Sequence, residues 1–143
     1  MEIAMAILTV IEDYNPTNPV PGTYPSIEAA LLDALAGDTI VLGPNYSNET
    51  VIITKSDIII SGTTSSLGIE LIIEDGISGL ILDGDAPIEV KDSSGGDIIT
   101  GNDGDNVITV TGGVDIVDGG LGDNSWAAYP YLFTASFSEP QCL

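Results

Sequence analysis

Between residues 92 and 127 four consecutive nine-residue units repeat without a gap: DSSGGDIIT, GNDGDNVIT, VTGGVDIVD and GGLGDNSWA. The fourth place is always glycine, at Gly95, Gly104, Gly113 and Gly122. The sixth is Asp97, Asn106, Asp115 and Asn124, and the eighth is Ile99, Ile108, Val117 and Trp126. Glycine admits positive φ and a tight turn. The Asp or Asn two residues later adds a hard oxygen to that turn, and the eighth side chain points into a core. Turn carbonyls and carboxylates gathered at one edge supply the roughly six to eight oxygens that Ca²⁺ prefers, whereas Mg²⁺ demands a stricter octahedron and keeps its waters. The candidate ligands are therefore Asp97, Asp115, Asn106 and Asn124, with Asp103, Asp105 and Asp123 beside them and the turn backbone at Gly95, Gly104, Gly113 and Gly122. The competing reading is a ladder of Asp and Asn side chains that holds the turns by hydrogen bonds alone, with no ion.

Charge bears on that choice. Twenty-two acidic residues stand against Lys55 and Lys91, with no arginine and no histidine, for a formal net charge of −20. A folded chain with that charge repels itself, and a bound cation is the simplest way to neutralise it. No basic surface can be built for nucleic acid, and docking on an anionic membrane is disfavoured. Without histidine there is no imidazole base, imidazole–zinc site or Ser-His-Asp triad. Cys142 is the only cysteine, which excludes a disulfide framework. Yet 43% of the residues are hydrophobic, too many for a disordered acidic tail.

The elements that must position these turns are legible over most of the chain, whose 143 residues suit a single domain. Residues 1–37 form an N-terminal segment. Its first run, Met1 to Ile11, has Glu2 where a signal sequence has basic residues and reads as a strand or short helix capping a core. Residues 12–25 hold four of the eight prolines and read as an irregular connector. A helix is expected over Ser26–Ala36, with Ser26 as N-cap, an apolar stripe of Ile27, Leu31, Ala34 and Leu35, and Gly37 as the C-terminal stop. Residues 38–91 carry short β-branched runs bounded by turn residues: Thr39–Leu42, Thr50–Thr54, Asp57–Ser61, Glu70–Glu74, Gly79–Asp83 and Ile88–Lys91. Several are apolar throughout, as suits strands stacked in a solenoid. From Leu71 onward the strand starts recur about every nine residues as far as position 124, through the repeat region 92–127. No apolar run approaches the length of a membrane span.

The four units resemble the glycine-rich nonapeptide G-G-x-G-x-D-x-U-x of RTX β-roll proteins. Residues 119–127 match best, through Gly119, Gly120, Gly122 and Trp126, with Asn124 in place of the aspartate. In that family two nonapeptides make one coil, which implies that Asp97 stacks on Asp115 along one edge and Asn106 on Asn124 along the other. The first edge is then expected to hold calcium well. The second, with two neutral amides, would depend on Asp103, Asp105 or Asp123 for charge. A second resemblance lies in Pro25–Ala30, Ala36–Leu42 and Asn48–Ile53, which look like the opening of right-handed parallel β-helix proteins of the pectate-lyase-like group, where a helix plugs the first coil. Mannuronan epimerases combine such a β-helix with RTX modules.

The two resemblances imply an all-β, right-handed parallel β-helix or β-roll solenoid with one N-terminal capping α-helix. They imply calcium ions as ligands, an extracellular or cell-surface bacterial location reached by type I secretion, and a structural, adhesive or self-assembling role. Catalysis is not expected: epimerase and lyase sites use His, Lys, Arg or Tyr beside acids on a long β-helix face, and most of that inventory is missing. The alternative is a truncated relative of those enzymes that retains polysaccharide binding. Residues 128–143 and the preceding Trp126 concentrate aromatics, five of the chain's eight lying between 126 and 137. That tail reads as a cap over the last coil, as a sticky face for a homo-oligomer or end-to-end assembly, or as an uncleaved export signal. Asn45 and Asn48 open glycosylation sequons and read as loop residues.

Overall fold

The computed structural model describes residues 4–128 and 133–136 of the chain, which form a β-solenoid. Its strands alternate between two parallel sheets. One sheet has the order β13-β11-β9-β7-β5-β3-β1-β2, built from β1 (Ile7–Val10), β2 (Thr23–Tyr24), β3 (Thr39–Leu42), β5 (Ile59–Gly62), β7 (Leu80–Gly84), β9 (Ile98–Thr100), β11 (Asp115–Asp118) and β13 (Phe133–Ser136). The other has the order β12-β10-β8-β6-β4, from β4 (Glu49–Ile53), β6 (Ile69–Ile73), β8 (Ile88–Lys91), β10 (Val107–Val110) and β12 (Ser125–Ala128). Each expected run in 38–91 therefore supplies a strand, shifted by no more than two residues at either end. Beyond the last expected start at 124, β13 extends the roll by one more strand and pairs with β11.

The interior is a set of aliphatic ladders. Leu8, Ile40, Ile60 and Leu82 lie in register along the first sheet, and Val51, Leu71, Val90 and Ile108 along the second, all at 4% exposure or less. β-Branched and leucine side chains stack well on themselves at the strand spacing of about 4.8 Å, so the period-2 pattern within each strand fixes which face is core. Trp126 pairs in register with Ile108 on the next rung but is 49% exposed. The expected inward eighth place therefore holds at Ile99, Ile108 and Val117 and not at this last unit, which no further coil among the described residues covers on this sheet.

The coils near the C-terminal end take fewer residues than the earlier ones. Thr39 pairs with Ile59 and Ile59 with Ile81, 20 and then 22 residues on, whereas Ile98 pairs with Ile116 and Val107 with Ser125, 18 residues on. Glycine at the fourth place of each unit permits the shorter turns. A Cβ at Gly113 would lie 2.0 Å from the carbonyl oxygen of Gly95, and one at Gly122 would lie 2.6 Å from that of Gly104. Positive φ is needed at only two of the four, Gly113 and Gly122. Close stacking of one turn on the next is what all four share.

One helix, α1 (Ile27–Asp33), closes the first coil against β4. Ser26 Oγ accepts from the Ala29 N–H as the expected N-cap, and Glu49 on β4 accepts from the Ile27 and Glu28 N–H groups. The helix ends three residues earlier than expected. Ala34 is already extended, and its carbonyl and that of Leu32 accept from Lys55 Nζ. The period is broken there, so Leu35 is exposed rather than part of the buried stripe, and Ala30 joins Ile27, Leu31 and Ala34 instead. Gly37, at φ +91°, serves the turn into β3 rather than the helix end. No helix among the described residues is long and apolar enough to cross a membrane.

Candidate metal centre

The turns before β9, β10, β11 and β12 bring the sixth-place residues inward. Asp97, Asn106, Asp115 and Asn124 are 1%, 0%, 2% and 9% exposed. They stack at 18-residue intervals on two edges of the roll. On one, the Asp97 N–H donates to Asp115 Oδ1 at 3.1 Å. On the other, the Asn106 N–H donates to Asn124 Oδ1 at 2.9 Å. The backbone geometry is the same, and the chemistry differs.

The amide edge is saturated by its own groups. Asn106 Oδ1 accepts from the Asn102 N–H, and Asn106 Nδ2 donates to the Ala86 carbonyl. Asn102 Nδ2 donates to that same carbonyl, and Asn102 Oδ1 accepts from the Gly104 N–H. Asn124 Nδ2 donates to the carbonyls of Gly119 and Leu121. An amide carries both donor and acceptor, so a stack of amides can close a network without help. Asp103, Asp105 and Asp123 stay exposed on the outside of this edge, where Asp105 Oδ1 accepts from the Asp123 N–H. Among the described residues no group of three acidic side chains gathers on this edge, and its aspartates are exposed while its amides are buried.

The carboxylate edge is not saturated. Oxygens of Asp92, Asp97 and Asp115 lie within 4.8 Å of one another, and all three residues are buried. Both oxygens of Asp97 and Oδ1 of Asp92 have no hydrogen-bond partner. Asp92 Oδ2 has only a long contact, 3.3 Å, from the Thr111 N–H. A buried carboxylate without donors is costly, and this protein shows elsewhere how it satisfies one. Asp38, 4% exposed, accepts from the Ala6 N–H at 2.7 Å and from the Leu35 N–H at 2.8 Å. The three carboxylates around Asp97 share only two backbone donors, one on Asp115 and one long contact on Asp92, and Asp97 itself has none.

Electrostatics follow from that arrangement. Burial, then a hydrogen bond that Asp92 and Asp97 can make only by sharing a proton, then the charges of Asp115 and Asp97, push the Asp92 carboxyl up to about 8. Burial and the neighbouring Asp97 charge raise Asp115 as well, against the lowering effect of the Asp97 N–H. Neither lysine relieves the cluster: Lys55 caps α1, and Lys91 on the outer face of β8 pairs with Glu70 and Glu89.

Asp92 was not among the residues singled out by the repeat, because it stands at the first place of its unit, where the other units carry glycine or valine. The signal for it was an acidic residue five positions before Asp97, across the same turn. Gly95 and Gly113 stack in the turns on this edge, and Gly104 and Gly122 on the other. Cys142 and the tail beyond Ser136 lie outside the described residues.

Fold and site together define a parallel β-solenoid with a buried, donor-poor tricarboxylate cluster between two coils. Compared with known proteins, the chain matches no family model, no curated sequence and no solved structure.

Proposed function

We propose that the protein is a calcium-binding extracellular β-solenoid with a structural or adhesive role, whose C-terminal coils are locked by the ion. The observation that carries this reading is the Asp97 carboxylate, 1% exposed, with both oxygens unpartnered and aimed at Asp92 and Asp115. Asp92, Asp97 and Asp115 would hold the ion, which when bound would cancel their mutual repulsion. The set is all oxygen and enclosed, which suits Ca²⁺ better than a thiophilic metal or a Mg²⁺ that keeps its waters. Asp92 and Asp97 flank β8 and β9, and Asp115 opens β11, so occupancy of this site would tie successive coils. At the low calcium of a cytosol the carboxylates repel and the last coils stay loose; at millimolar calcium outside the cell they close. Affinity in the range of about 10⁻⁴ to 10⁻³ M, typical of extracellular modules, would suffice. The resemblance of residues 92–127 to RTX nonapeptides supports the same reading. Binding of uronate polymers is not favoured, because the outward Lys91 is already held by Glu70 and Glu89 and the surface around it is acidic.

The test is thermal unfolding followed by circular dichroism in chelator and in millimolar calcium, with calcium titration of Asp97→Ala and Asn106→Ala. The expected result is a higher Tm in calcium that Asp97→Ala abolishes and Asn106→Ala leaves in place. Equal melting of the parent in the two buffers defeats the proposal.

A further inference from the structure

We infer that the Asp92–Asp97–Asp115 pocket favours a trivalent cation of the lanthanide class over a divalent one; this rests on the cation-site reading above and specifies the charge of the preferred ion. The warrant is the charge count of the enclosed set. Three carboxylates converge within 4.8 Å, at 6%, 1% and 2% exposure. No basic side chain offsets any of them. The chain has no arginine or histidine, Lys55 Nζ is spent on the Leu32 and Ala34 carbonyls, and Lys91 lies on the outer face with Glu70 and Glu89. Among the described residues the only donors reaching the set are the backbone N–H groups of Asp97 and Thr111, on Asp115 Oδ1 and Asp92 Oδ2. Once the entering ion has displaced the proton that Asp92 otherwise holds, a divalent ion leaves one negative charge uncompensated where water is excluded, and a trivalent ion leaves none. Coulomb attraction scales with the product of the charges and is weakly screened in such a place. Ca²⁺ and the mid-series lanthanides have similar radii and the same preference for hard oxygen, so the same ligand atoms serve both. Of the three carboxylates, Asp92 is the one the nonapeptide pattern does not supply, and it takes the set from −2 to −3.

The experiment uses the full chain stripped with chelator, then Tb³⁺ and Ca²⁺ in competition at high ionic strength. Tb³⁺ luminescence lifetime reports the number of waters left on the ion, and Tm is measured with each ion. The expected result is a Tb³⁺ site with few coordinated waters that wins over Ca²⁺ by a large factor. Asp92→Asn should narrow that factor by about tenfold or more, as expected for one ligand charge lost from a weakly screened site, while Ca²⁺ still raises Tm. Glu12→Gln, an exposed carboxylate in the N-terminal connector, should leave the factor unchanged. If Asp92→Asn does not fold, Asp115→Asn carries the test, since its amide oxygen can still accept from the Asp97 N–H. An unchanged Tb³⁺-to-Ca²⁺ ratio in the folded variant overturns the inference and leaves the calcium reading standing. A nearly fully hydrated Tb³⁺ does the same, by placing the ion on the acidic surface. If neither ion raises Tm, the cation-site reading itself fails.

Discussion

The two edges of the roll are a natural experiment in one atom. Asp97 over Asp115 and Asn106 over Asn124 share the 18-residue step, the inward aim and the N–H to Oδ1 bond between rungs. They differ in whether the second side-chain atom is an oxygen or an NH₂. With the amide, that atom donates to turn carbonyls of Ala86, Gly119 and Leu121, and the edge is complete. With the carboxylate, it faces other carboxylates and lacks a donor. A stacked turn in this architecture is thus either self-sufficient or dependent on something positively charged, and the identity of one residue per nonapeptide decides which.

That contrast can be broken most severely at the amide edge. Asn106→Ala removes the acceptor for the Asn102 N–H and a donor to Ala86 inside the core, and should cost about 3 kcal/mol, equally in chelator and in calcium. Urea titration in both buffers checks it. A smaller and opposite effect is expected from Asp97→Asn combined with Asp115→Asn, which makes the carboxylate edge a copy of the amide edge. In chelator the double variant should melt about 5 °C above the parent, and calcium should no longer shift it; calorimetry with and without the ion decides.

Acidity provides a third handle. Folded Asp92 keeps its proton up to about 8, whereas an unfolded aspartate releases it near about 4. Between those values the folded state binds more protons, so stability in chelator should fall as pH rises from about 5 to 8. Calcium should flatten that slope, because a cation takes the place of the proton, and melting curves across this pH range in each buffer measure it. The smallest effect belongs to the outer face. Lys91→Ala breaks exposed pairs with Glu70 and Glu89 and should change neither Tm nor the calcium response measurably.

The solenoid was legible because its signals are periodic. Aliphatic residues at Ile99, Ile108 and Val117 and glycines nine apart give the rungs, and the β-branched runs of 38–91 give the wider coils. Ser26 announced the helix start through its own side chain. The helix end was not legible, because it is set by Lys55, more than twenty residues away, drawing the Leu32 and Ala34 carbonyls. The pairing of Asp97 with Asp115 came from the resemblance to RTX nonapeptides, in which two units make one coil. The third carboxylate did not, because Asp92 reaches the cluster through the path of one particular turn rather than through the repeat. Nor did the self-sufficiency of the amide edge, which depends on Asn102 bridging to Ala86 in the preceding coil. Periodicity identifies which residues stack; whether their polar atoms are satisfied depends on neighbours outside the period.

The uniform step of the last rungs makes them interchangeable cassettes. Val107 lies over Glu89 and Ser125 over Val107, while Ile116 lies over Ile98 and Phe133 over Asp115. Excising or duplicating 18 residues in phase would return every strand to a partner of the same facing and alter the length of the rod by about 4.8 Å. Excising nine would instead transpose the sheets and set aspartate turns over asparagine turns. Growth and loss in this region are therefore quantised in pairs of nonapeptides, and each pair added brings one more rung of each kind.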